Sequence, residues 1–110
     1  MERSAQPPEL HAEIELLPGV GTRRLESWRP AVRPAHSDAV APAFGIVFSS
    51  SPHQAVGGER FSARIAVLAW PDSATDWLHQ PGVEFSISEG ATTVGYGRIL
   101  AVGGASGIDA

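Results

Sequence analysis

Gly82-Val83-Glu84-Phe85-Ser86-Ile87-Ser88-Glu89-Gly90-Ala91-Thr92-Thr93-Val94-Gly95-Tyr96-Gly97-Arg98-Ile99-Leu100 is the stretch whose reading decides the fold. Val83, Phe85 and Ile87 alternate with Glu84, Ser86 and Ser88, the period of a half-buried strand. Glu89-Gly90-Ala91 turns the chain, and Thr92 to Val102 returns as a second strand, so the pair reads as a hairpin with a short Gly-containing loop. On the return, Val94, Tyr96, Leu100 and Val102 share one parity, taken as apolar, and Gly95 and Gly97 share the other. Paired glycines on one face point to a sharp bend or a close backbone approach, as barrel corners require.

The same reading extends outward. Ala12, Ile14 and Leu16 alternate with His11, Glu13 and Glu15, a strand from His11 to Leu17 that Pro18-Gly19-Val20-Gly21 ends. Phe44 to Phe48 is a short apolar strand closed by Ser49-Ser50-Ser51-Pro52. Arg60 to Trp70 is the longest strand candidate, with Phe61, Ala63, Ile65, Val67 and Ala69 on one face. Its other face starts polar at Arg60, Ser62 and Arg64 and turns apolar at Ala66, Leu68 and Trp70, as in a strand covered on both sides at one end. Pro71 to Pro81 is a connection with room for one helical turn. Residues 22–42 are the least legible, since Pro30, Pro34 and Pro42 forbid a continuous helix and make any strand there short or at an edge. Residues 1–9 read as a flexible leader, 10–102 as the folded domain and 103–110 as a flexible tail. About six strands with a turn signal roughly every ten residues make an all-β antiparallel barrel or sandwich.

The 110 residues suffice for one core, and 43% hydrophobic against 18% charged residues excludes general disorder. No apolar run approaches the ~18 residues of a membrane-spanning helix, and the start lacks the apolar stretch of an export signal, so the cytoplasm is the expected compartment. Every basic residue is Arg. Without Lys there is no P-loop lysine, Schiff-base lysine or lysine general base, and without Cys no disulfide or thiolate chemistry. The net charge of −4 is the wrong sign for a strong non-specific nucleic-acid binder.

The hairpin is similar to the end of the third domain of bacterial elongation factor Tu, a family that closes with Gly-x-x-Phe-x-Ile-Arg-Glu-Gly-x-x-Thr-Val-Gly-x-Gly-x-Val. Gly82, Phe85, Ile87, Glu89, Gly90, Thr93, Val94, Gly95 and Gly97 match in register. Trp28-Arg29-Pro30 resembles the family's Tyr-Arg-Pro. Gly58-Glu59-Arg60-Phe61, with its following strand and Pro71, resembles a Gly-Asp-x-Val run that ends at Pro. His11 to Leu17 resembles the opening strand. The resemblance spans roughly residues 10–102 and implies a six-stranded antiparallel β-barrel. It also implies a third domain standing alone, without the GTPase domain or the second barrel, hence without nucleotide and not an enzyme. The family's third domain contacts the T stem of tRNA, the GTPase domain and the exchange factor. Ser88 stands here where the family has Arg, and Ala31 where it has Gln.

Candidate site residues follow with two readings each. Arg23, Arg24, Arg29 and Arg33 form the basic part of the chain, an anion patch or a solvated edge. Glu89 and Gly90 are an RNA-contacting turn or an ordinary one. Gly90, Gly95 and Gly97 are a phosphate cradle or barrel curvature. Trp70 and Trp77 in the long connection form a partner patch or pack beneath their own loop. Trp28 belongs to the core. His11, His36, His53 and His79 have no metal-like spacing, Ser49 to Ser51 beside His53 lack a Gly-x-Ser-x-Gly turn, and no metal or cofactor is expected. The expected function is a non-catalytic, translation-factor-like binding module that meets a protein partner. The alternative is a tRNA-like RNA stem held by the Arg-rich segment.

Overall fold

The computed structural model describes residues 7–35 and 42–103. Eight strands occur in chain order: β1 (Leu10–Leu16), β2 (Arg23–Arg24), β3 (Ala31–Pro34), β4 (Phe44–Ser50), β5 (Gln54–Ala55), β6 (Arg60–Val67), β7 (Glu84–Glu89) and β8 (Thr92–Val102). A 3-10 helix, Ser73–Leu78, lies between β6 and β7. Six strands close into an antiparallel barrel in the order β1-β6-β4-β3-β7-β8, and β2 with β5 forms a separate two-stranded sheet. The expectation of a six-stranded antiparallel barrel holds. Among the described residues, closure pairs each of the six barrel strands on both sides.

The alternations of β1 and β7 are realised as read. Leu10, Ala12, Ile14 and Leu16 are fully buried, as are Phe85 and Ile87. Burying each such side chain stabilises by about 1.5–3 kcal/mol, and together with Ile46, Ile65, Val67 and Ile99 they fill the barrel. A barrel this small has room inside for side chains only.

The return strand corrects the sequence reading. Pairing of β7 with β8 shifts between Ile87 and Ser88, so that Ile87 faces Gly95 while Ser88 faces Thr93. Val94 is the extra residue of this bulge, and a one-residue insertion exchanges the faces. Gly95, Gly97 and Ile99 therefore turn inward, and Tyr96, Leu100 and Val102 are exposed. The two glycines are required for close approach. A Cβ on Gly97 would sit 2.4 Å from the Phe85 ring, and one on Gly95 would sit 2.7 Å from the Glu15 carbonyl oxygen. A second irregularity, between His11 and Ala12, leaves Leu100 out of the β1 pairing.

Three further expectations change. The longest strand is β8, because β6 ends at Val67 and hands over to a turn in which the Leu68 and Ala69 side chains are exposed. The apolar end of β6 is confirmed at Ile65, Ala66 and Val67, all buried, and not at Leu68. Between Pro30 and Pro34, β3 is short as expected. It is not an edge, since it pairs with β4 on one side and β7 on the other. Residues 1–6 and 104–110 of the expected leader and tail lie outside the described residues. Next to the barrel, the Gly103 N–H donates to the Glu9 carbonyl at 2.8 Å.

The register sorts the connections between two ends. Leu10, Val67, Phe44, Glu84 and Val102 mark one end, where the 3-10 helix connection leaves and returns. Leu16, Arg60, Ser50 and the Glu89-to-Thr92 turn mark the other, over which the small β2–β5 sheet lies. That sheet is held by backbone bonds from Gly57 N–H to Val20 O at 2.9 Å and from Leu25 N–H to His53 O at 3.1 Å.

Candidate binding surface

Glu89 is the last residue of β7, two positions beyond buried Ile87. At the β2–β5 end it meets two donors from the loop that the sequence left unread. Arg23 Nε and Nη2 donate to Glu89 Oε2 and Oε1 at 2.6 and 2.9 Å, a fork in which both guanidinium nitrogens find a carboxylate oxygen. Trp28 Nε1 donates to Glu89 Oε2 at 2.6 Å. Trp28 is buried and stacks on Phe48, with ring centroids 5.5 Å apart and planes 11° from parallel. A buried indole needs an acceptor for its N–H, and Glu89 supplies it.

The electrostatics follow from these contacts. The hydrogen bonds from Arg23 hold the Glu89 carboxyl below the ordinary glutamate range, partial burial opposes them, and the Trp28 bond adds to the lowering. The Arg23 guanidinium is held still more firmly in its charged form, chiefly by the bond to Glu89. Glu89 is therefore the ionised acceptor of a three-residue clasp rather than a solvated turn residue.

The other arginines disperse. Arg24 lies 3.6 Å from Glu26, with both side chains largely exposed. Arg29 donates to the backbone carbonyls of Glu26 and Trp28 at 3.1 and 3.0 Å. Arg33 sits on β3 opposite Ser86, with its Nε buried and without a hydrogen-bond partner among the described residues. Two of the four, Arg23 and Arg24, face carboxylates. Gly90 adopts φ +60 at the hairpin turn, with open space around it. Gly95 and Gly97 face filled space, so the cradle reading of the three glycines does not stand.

Trp70 and Trp77 lie at the opposite end, both half-buried and packed against the core. Asp72 caps the 3-10 helix that carries Trp77, accepting from Ala74 N–H at 2.9 Å. Sequence reasoning missed the exposed apolar residues at that end, Leu68 at 60%, Leu100 at 45% and Val102 at 37% exposure. The signal for Leu68 was its place just beyond the last buried pair of β6. For Leu100 none existed, because the irregularities that turn it outward carry no sequence mark, and Val102 is exposed as the last residue of β8.

Among the described residues no group of three His, Cys, Asp or Glu side chains is placed to hold a metal ion. His36 lies outside the described residues. Among the described residues no helix is long and apolar enough to cross a membrane. Comparison of the chain with protein-family models and with curated proteins finds no match.

Proposed function

We propose that this chain is a non-catalytic binding module of the kind the elongation factor Tu resemblance implies, translation-factor-like and acting in the cytoplasm. It works by contacting a protein partner at the end of the barrel that carries Leu68, Trp70, Trp77, Leu100 and Val102. The observation that supports this most is the contrast in how side chains are used. Arg23 is spent on Glu89, and Arg24 faces Glu26. At the other end, large apolar side chains face solvent. A protein interface draws its energy from such anchors, whereas an RNA interface needs cations free for phosphates.

Fluorescence anisotropy with labelled tRNA, at low and at moderate salt, separates this reading from RNA binding. The expected result is no binding at either salt. Salt-steep binding that disappears in Arg23→Ala/Arg24→Ala would overturn the proposal and put the RNA stem in its place. A photocrosslinking residue at Leu68 or Leu100, with Glu59 at the opposite end as control, supplies the positive arm. One protein adduct of defined mass is expected from the first two positions and none from the third.

A further inference from the structure

On the outer wall of the barrel, β1, β6 and β4 border an open surface depression of about 360 Å³ lined by His11, Ser50, Ser51, Ser62 and Arg64, all exposed except half-buried Ser51. The volume is at the small end of ligand sites. The register explains why these residues meet. His11 stands directly across from Arg64 on β6, and Ser50 faces Arg64 from β4 after the irregularity that follows Phe48. The lining offers one guanidinium, one imidazole and three hydroxyls, and the nearest carboxylates stand at its border, Glu13 directly across from Ser62 and Glu9 beside Arg64. Ser51 Oγ donates to the Pro52 carbonyl at 3.0 Å, while Ser50 and Ser62 are exposed. Glu9 Oε1 approaches Arg64 Nη1 only to 3.9 Å, with both side chains half-exposed or more. A pair of that length and exposure is worth little and leaves the guanidinium available.

The other depressions differ. The one over Gly97 holds Glu13, Glu15 and Glu84 against Arg60 and Arg98 and is not selective for an anion. The one on the far side of Ser50 and Ser51 carries Glu26, 3.7 Å from His53, and offers that histidine no hydroxyl within hydrogen-bond reach.

We infer that the His11–Ser50–Ser62–Arg64 depression is a binding site for a single small phosphate dianion, free or as the phosphomonoester of a small molecule. Arg64 supplies the charge and the fork, and the hydroxyls and the imidazole supply the remaining donors to the phosphate oxygens. A polyanion is excluded by what surrounds the site. Glu9, just before β1, and Glu13 and Glu15 on it would meet the neighbouring phosphates of a polyanion with carboxylates. This inference does not rest on the protein-contact reading.

The test is a titration of the 15N-labelled full chain with inorganic phosphate and with glycerol 3-phosphate, at matched ionic strength in sodium chloride. Saturable amide shifts centred on His11, Ser50, Ser62 and Arg64 are expected, and the tighter of the two ligands identifies the source. Arg64→Gln, an exposed substitution whose spectrum also reports that the barrel is intact, is expected to weaken binding by about tenfold or more. Glu9→Gln removes the competing carboxylate and is expected to tighten it by roughly twofold to fivefold. Shifts that do not saturate, shifts centred elsewhere, or binding unchanged in Arg64→Gln would each overturn the proposal.

Discussion

The two ends of the barrel solve the same problem in opposite ways. At the β2–β5 end, a buried Trp28, stacked on Phe48, is joined through Glu89 to Arg23, so a loop and a hairpin far apart in sequence are tied by one carboxylate. At the end that carries the 3-10 helix, Trp70 and Trp77 cover the core only in part and Leu68, Leu100 and Val102 face solvent. A closed end spends its polar groups on the fold. The other end leaves apolar side chains in solvent. Cationic residues that look like a ligand patch in sequence can therefore be structural, while exposed apolar side chains occur where the sequence reading did not place them.

Substitutions should separate the ends sharply. The largest effect is expected from Trp28→Ala, which removes the stack on Phe48 and the donor to Glu89. Chemical unfolding should show a loss of about 3–5 kcal/mol. Gly97→Ala comes next. Its methyl group would meet the Phe85 ring, so a loss of about 1–3 kcal/mol is expected. Phe85→Leu in the same chain should recover part of that loss if the contact is the cause, and no recovery would point to the backbone instead.

Glu89→Gln keeps the shape and removes the charge, with an expected loss of about 1 kcal/mol. The pH dependence has a definite sign. The folded-state carboxyl of Glu89 ionises at lower pH than in the unfolded chain, so its stabilisation is complete above the ordinary glutamate range. It fades as pH falls through the lowered folded value. Melting curves of the parent and Glu89→Gln should therefore differ most near neutral pH and converge in acid. At the open end, Leu68→Ser and Leu100→Ser should change stability by no more than about 0.5 kcal/mol. On the protein-contact proposal, Leu68→Ser should nevertheless weaken the crosslink from position 100, and Leu100→Ser the one from position 68. A large stability loss there would mean that the open end belongs to the core.

Legibility in the sequence follows the range of the interactions involved. The β7–β8 hairpin was readable because its alternation and its Gly90 turn are local, and β1 was readable for the same reason. The reading failed at the bulge, where inserting Val94 exchanges the inner and outer faces of β8 without any residue type to announce it. In residues 22–35 the prolines correctly shortened β3. They could not say that its two neighbours would be β4 and β7, which is a matter of closure. The clasp was beyond local reasoning altogether, since Glu89 lies 66 positions from Arg23 and 61 from Trp28. What the sequence did contain was a Trp indole and an Arg in need of acceptors, and one acidic residue at a turn.

The claim that one end is tied shut through Glu89 is tested most directly by a double-mutant cycle of Arg23→Ala and Glu89→Gln, read by urea unfolding near neutral pH. Residues in contact couple by about 0.5–3 kcal/mol, and a coupling energy of about 1 kcal/mol is expected here. Additive effects, with no coupling, would contradict the clasp and return Arg23 to the set of cations free to bind a ligand.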